Sequence, residues 1–274
     1  MLFQFRAFIL LCSVLTATAL YGLQPLLLEE ILPELERADY VDPSTVSKSP
    51  SFLDGETLHF ELGWSFFKVA RAKMVIAPDP NEEGSPLKVV LQTRTNSFAD
   101  AIYKVRNTST SWMLSDVSGS LRFHAQQLEG ARERDTEAIF DPVALTARYN
   151  NNRNGENRAP VAILPGSFDP LGIVYFVRSL DFALGRQWII PTSNGKEFFL
   201  TVVRVTDRVE RRFASGRHEA WVVEPDIKDL GGVFKRSDNG HIRFYFSADE
   251  KKLPLRMESE VAVGSFWAEL TKAE

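Results

Sequence analysis

From Phe52 onward the apolar residues recur at every second position, and this alternation limits what the chain can become. A period of two places apolar side chains on one face of an extended strand and polar ones on the other. "GETLHFELGW" sets Leu58, Phe60, Leu62 and Trp64 against Thr57, His59 and Glu61. "VARAKMVIAP" and "LKVVLQTRTNS" follow as partner strands around the turn-rich "DPNEEGSP". "SWMLSDVSGSLRFHAQQLEG", "ARERDTEAIFD" and "LTARYNNN" continue the series, each stopped by Gly, Pro, Asn or Asp. "NNNRNGENRAP" is too polar to bury and reads as an exposed, mobile loop. Asn194-Gly195 predicts a type I′ hairpin, and "RVERRFASGRHEAWVVEP" a second hairpin. The closing stretch "FYFSADEKKLPLRMESEVAVGSFWAEL" predicts the last strands, with Leu255, Met257, Val261 and Val263 inward and Arg256, Glu258 and Glu260 outward. So many strands with short connections predict a mainly β fold. It is a large antiparallel sheet, curled or half-closed into a barrel to hide its apolar face and its edges.

One helical segment, about 168–184, interrupts the strands in "GSFDPLGIVYFVRSLDFALG". Asp169 reads as its N-cap and Pro170 as its first helical residue, with Gly185 ending it. Leu171, Val174, Tyr175 and Arg178 then share a face too apolar for water, so the helix is expected to cover the concave side of the sheet. Its apolar side should meet the strands bearing Trp64 and Trp267, with any cavity opening beside Tyr175. An inward Arg178 requires an acidic or carbonyl partner.

The N-terminus is read as an address. "MLFQFRAFILLCSVLTATALYG" carries Arg6, then an apolar run, then "ATA" at Ala17 to Ala19, the small-residue pattern of a cleaved signal. Residues 1–19 are accordingly assigned to a signal peptide. The alternative is an uncleaved inner-membrane anchor, since Ala7 to Leu23 is roughly 17 residues, close to the shortest span. The only cysteine, Cys12, lies in this run, so no internal disulfide can form. Residues 20–51 predict a helix carrying Leu28, Ile31, Leu32 and Leu35, then a Pro/Ser linker. Residues 52–274 predict a single β-rich domain. The expected location is the periplasm or the outer membrane.

Three stretches together carry a resemblance. "GETLHFELGW" opens with Gly55-Glu56; "GSFDPLGIVYFVRSLDFALGRQW" places Asp169-Pro170 before Tyr175 to Arg178; the ending places Asp249, Pro254 and Gly264 in order. In order and spacing they resemble the exported bacterial family catalogued as domain of unknown function 3108, over Phe52 to Leu270. "KVARAK" departs from that pattern, with Ala70 where a family glycine is expected. The resemblance implies no established activity. Its layout is similar to the LolA/LolB-like half-barrel of lipoprotein carriers, in which a curved sheet wraps a helix and holds lipid, a likeness of architecture only.

Chemistry is hard to find in the residues. His59, His124, His218 and His241 are scattered, with no HExxH and no thiolate beside them, so no metal site is expected. His218 and Glu219 are adjacent on a strand and would point apart. No G-x-S-x-G elbow or phosphate loop occurs. Asp135 with Glu137, and Glu258 with Glu260, read as the solvated face of strands. A net charge of -4 argues against nucleic acid. Twenty Phe, six Tyr and five Trp are more than turns need. Phe60, Trp64, Phe66, Tyr175, Arg178, Trp188, Phe244, Phe246 and Trp267 are therefore the expected lining of an interior site. The expected function is a non-catalytic envelope protein without cofactor, binding an apolar or lipid-like ligand, with membrane contact only through the N-terminal segment. An interaction module for another envelope protein and a hydrolase with a hidden site stay open.

Overall fold

The computed structural model describes Phe52 and residues 55–225, 241–260 and 265–274. The expected signal peptide, N-terminal helix and linker lie outside the described residues, as do Val261, Val263 and Gly264. Strands β1 (Glu56–Trp64), β2 (Phe67–Pro78) and β3 (Leu87–Thr95) lead through a one-turn helix, α1 (Ser97–Asp100), into β4 (Val105–Met113). β5 (Ser120–Glu129), β6 (Arg132–Asp141), β7 (Thr146–Asn151) and the short β8 (Glu156–Asn157) and β9 (Val161–Ala162) complete a first meander. Helix α2 (Gly172–Arg178) separates it from a second: β10 (Gln187–Ser193), β11 (Phe198–Phe213), β12 (Gly216–Pro225), β13 (His241–Ser247), β14 (Pro254–Glu260) and β15 (Ser265–Ala273).

The 15 strands of the described residues belong to one sheet with antiparallel pairing between them. Its order is β10-β11-β12-β13-β14-β15-β1-β2-β3-β4-β5-β6-β7-β8, with β9 beside β7. The meanders are joined in the middle by β1 and β15, Phe60 opposite Leu270 and Trp64 opposite Phe266. Thr57 N–H donates to the Glu274 carbonyl at 2.7 Å, and Glu274 N–H returns to Thr57 at 2.9 Å. The sheet curls without closing into a barrel. Its β10 edge is covered instead of bare: Phe168 bridges Thr192 in parallel, while Ser120 N–H at the start of β5 donates to the Ser167 carbonyl at 3.0 Å. Covering an edge this way satisfies backbone groups that would otherwise template aggregation.

The interior is layered along the strands. At one end Leu58, Ile76, Val89, Phe246 and Leu270 share a buried cluster with Phe168, Tyr175 and Phe176 around α2. At the other end Leu62, Val69, Ala70, Ala99, Val105 and Phe266 form a smaller cluster. Ala70, where a glycine was expected, is simply buried there.

Three expectations need correction. The helix is only Gly172–Arg178, not 168–184, because Ser179 Oγ and N–H both turn back on the Phe176 carbonyl, at 2.7 and 2.9 Å, and close the last turn. The polar stretch 150–160 is largely exposed, as expected, but part of it forms a two-pair hairpin between β7 and β8 around a turn with Gly155 at φ 71°. The β10–β11 connection holds Gly195 at φ 82°, yet Asn194 is not at positive φ, so it is no type I′ turn. Asn194 Oδ1 instead accepts the Lys196 and Glu197 amides, at 2.9 and 3.0 Å, an Asx arrangement that stabilises a longer loop.

Candidate ligand groove and the clasp beside it

Between the two apolar layers lies a groove of about 110 Å³. β1 supplies Phe60 and Leu62, β2 Ala72 and Met74, β3 Leu91 and Thr93. The second meander supplies Phe244, Pro254, Arg256, Met257, Phe266, Trp267 and Ala268, and α2's first turn adds Leu171 and Val174. The space follows from side-chain size. Ala72, Thr93 and Ala268 are small residues at inward positions, and a helix of seven residues is too short to reach over them. Polar groups are scarce in the lining, and nothing in it resembles an acid/base pair.

The helix that walls the groove is held by two polar anchors. Asp169 is fully buried. Its Oδ2 accepts the hydroxyls of Ser111 and Ser120, at 2.5 and 2.6 Å, and its Oδ1 accepts the amides of Leu171 and Gly172, at 2.8 and 3.0 Å. Ser120 Oγ accepts the Asp169 amide in turn, at 2.8 Å. Asp169 therefore caps the helix from two residues further out than a simple N-cap, and Pro170 sits inside the capping turn. Burial pushes the Asp169 carboxyl above the ordinary carboxylate range, against four hydrogen bonds that favour its charge.

The second anchor is Arg178, whose side chain is fully buried. Its guanidinium donates to both Glu56 oxygens, at 2.6 and 2.8 Å, and to the Lys251 and Lys252 carbonyls, at 3.0 Å each. It also lies over the Phe52 and Tyr175 rings, at 4.8 and 5.1 Å. A bidentate, multiply bonded pair of this kind is the geometry that offsets the cost of burying charge. Burial pushes the Tyr175 hydroxyl upward, against the pull of Arg178. Lys252 closes the ring of contacts by donating to the Leu180 carbonyl. The turn that offers these carbonyls is shaped by Asp249, which accepts the Ser247 hydroxyl at 2.6 Å and the Lys251 amide at 3.1 Å.

The expected lining residues divide into three sets. Phe60 and Phe244 line the groove. Trp64 stands at its outer end, stacked on Phe266 at 6.5 Å. Trp267 borders it, but its indole lies across Gly63, where an added Cβ would stand 2.1 Å from the ring, and its Nε1 donates to the Ser65 carbonyl at 2.9 Å. Tyr175, Trp188 and Phe246 are buried in the packed end of the core and do not line this groove. The groove opens beside Val174 instead of Tyr175, and Arg178 is the helix clasp. Phe66 is 97% exposed at the β1–β2 turn, because turn residues leave the inward alternation. Ala72, Met74 and Leu91, which sequence reasoning passed over, carry the same period-two signal as β1, while Met257 was expected inward and lines the groove.

The histidines stand apart: His59 meets Glu274 at 2.8 Å, His124 meets Asp135 at 2.8 Å and His218 meets Ser215 at 3.2 Å. Among the described residues no three His, Cys, Asp or Glu gather within metal-binding reach.

Among solved structures the chain is similar to a β-barrel-like protein of domain of unknown function DUF1849 from Brucella abortus. The TM-score is 0.50 at 12% identity, covering 80% of this chain and 97% of that one. This is a likeness of fold alone. A protein of Bacteroides fragilis with a YmcC-like fold matches at a TM-score of 0.33 and 6% identity, covering 84% and 99%, too slight a likeness to argue from. A search of curated proteins finds no match. The family model for proteins of unknown function DUF3108 matches residues 59–271, starting just after Gly55-Glu56. That match takes in α2 and most of the sheet, including the Asp169, Tyr175 and Arg178 of the helix clasp, and the chain belongs to this family.

Proposed function

We propose that this protein is an exported, non-catalytic envelope protein that holds an apolar, lipid-like ligand in the groove between its sheet and α2. The supporting observation is a groove left open by small side chains within an otherwise close-packed interior, with an almost wholly apolar lining. Voids too small for water are common in proteins, whereas one of about 110 Å³ approaches the size of engineered cavities that admit benzene, about 150 Å³. Full ligand pockets run to about 300–1,000 Å³, so the groove suits the end of one acyl chain, with the rest lying toward solvent. The buried ionisable groups Asp169, Arg178 and Glu56 are engaged in holding the helix, which leaves them poorly placed for turnover.

Uptake of a fluorescent fatty-acid probe by the full-length protein tests this reading. Wild type is expected to bind it. Ala72→Phe and Ala268→Phe, which fill the groove from β2 and β15, are expected to abolish binding while keeping the β spectrum of the fold. A wild-type protein that binds no acyl probe would overturn the reading.

A further inference from the structure

Beyond the groove, on the side away from α2, the sheet ends in an apolar tip. The cluster that includes the groove residues Leu62, Ala72 and Phe266 continues outward to Val69, Ala99 and Val105. Beyond it, at the β1–β2 turn, Phe66 is 97% and Phe67 60% exposed. In and just after α1, Phe98 is 62% and Ile102 42% exposed. The two segments are neighbours: Asn96 N–H donates to the Val69 carbonyl at 2.9 Å and Asn96 Nδ2 to the Lys68 carbonyl at 2.7 Å. Large apolar side chains scattered singly need no explanation, but four of them on two adjoining tips make a contact surface.

The charges around the tips have one dominant sign. On the outer face Arg71 of β2 stands opposite Arg94 of β3, and Arg94 opposite Arg106 of β4. Like charges directly across a ladder are unfavourable without a compensating anion. The nearby acids are shared: Glu61, which stands opposite Arg71 across β1 and β2, pairs with Lys68 at 2.5 Å, and Asp100 pairs with Arg106 at 2.6 Å. Arg71, Arg94 and Lys104 are exposed, in a chain whose formal net charge is -4. A basic rim on an acidic protein, set beside exposed aromatic rings, has the chemistry of an anionic lipid–water interface: rings enter the headgroup boundary and the cations meet phosphates.

We propose that the β1–β2 turn and α1 dock this protein on an anionic phospholipid bilayer, with the Leu62, Ala72 and Phe266 end of the groove toward the membrane. The inference rests on the carrier reading for its purpose, since a groove held close to the bilayer shortens the path of an acyl chain through water. The docking itself needs no cargo. It adds a membrane contact that belongs to the folded sheet and is separate from the N-terminal segment.

Hydrogen exchange of the full-length chain tests it, with vesicles of phosphatidylcholine containing a minority of phosphatidylglycerol. Amides of residues 65–68 and 97–104 are expected to gain protection on these vesicles, and much less on phosphatidylcholine alone. Phe66→Ser combined with Phe98→Ser is expected to remove that protection while leaving uptake of the fatty-acid probe unchanged, since neither ring lines the groove. Arg94→Glu is expected to weaken binding to the anionic vesicles about tenfold, as reversing a charge at the headgroup level does. Protection confined to the N-terminal segment, or equal in wild type and the double variant, would overturn the docking. Docking without probe uptake in wild type would instead remove the carrier reading and leave the membrane surface standing.

Discussion

Arg178 shows how much one buried side chain can organise. Its guanidinium makes four hydrogen bonds, to a carboxylate on β1 and to two carbonyls of the β13–β14 turn, so one residue of α2 ties together the two meanders. Removing one partner of a buried ion pair leaves the other uncompensated, at a cost of about 3–5 kcal/mol. Arg178→Ala is therefore expected to lower the urea unfolding free energy by about that amount. Pairing it with Glu56→Leu should recover part of the loss, and a double variant no more stable than the single one would show that the pair is not coupled. Gly172 is constrained in a different way: an added Cβ would stand 2.9 Å from Asp169 Oδ2 and Ser120 Oγ and 3.0 Å from Met113 Sδ. Gly172→Ala should cost about 1–3 kcal/mol by crowding the cap, readable as a fall in the denaturation midpoint.

At the level of elements, the turns decide where strands can go. Gly195 has φ 82°, and a Cβ there would meet Ala138 Cβ at 2.9 Å and the Arg148 carbonyl oxygen at 3.1 Å. The β10–β11 turn thus leans on β6 and β7, the far side of the curl. Gly195→Val is expected to destabilise by on the order of 1–3 kcal/mol or more, from backbone strain and from that contact together. An unchanged chemical-denaturation midpoint would show the contact to be dispensable. The one-turn helix α1 is held by Asp100, whose carboxyl Arg106 and then Thr95 hold down at about 2. Its unfolded value is near 3.8. The unfolded chain therefore takes up its proton first as pH falls, so the stability contributed by this group is complete above about pH 4 and is lost toward pH 2. Asp100→Asn should flatten the fall of unfolding midpoint across that window, and a variant with the same slope as wild type would reject the assignment.

On the scale of the whole molecule, the order of strands is the main fact. β15 is last in sequence yet lies in the middle of the sheet, paired with β14 on one side and β1 on the other. Its Phe266 and Leu270 belong to the two interior clusters. A chain ending at Glu260 is expected to fail to fold, since it loses buried side chains and bares two long edges at once. Far-UV circular dichroism of the truncated chain checks this, and a native-like spectrum would mean that the meanders fold separately.

Period-two alternation alone was enough to identify most strands, the antiparallel sheet and its need to curl, because the repeat is a local property of the backbone. It also placed Leu58, Phe60 and Leu62 correctly on the inward face. The demand that an inward Arg178 find an acid or a carbonyl was equally local, since the cost of a buried charge does not depend on the fold. Which aromatic residues meet a cavity was not local. Tyr175 and Val174 are adjacent on one helix, yet only Val174 reaches the groove, and Trp267 turns away onto Gly63. That choice depends on where a short helix stops over a curved sheet and where small side chains from distant strands coincide. Ala72, Thr93 and Ala268 are unremarkable letters until the pairing of β2, β3 and β15 gathers them, because empty space is a property of packing between strands and never of one segment.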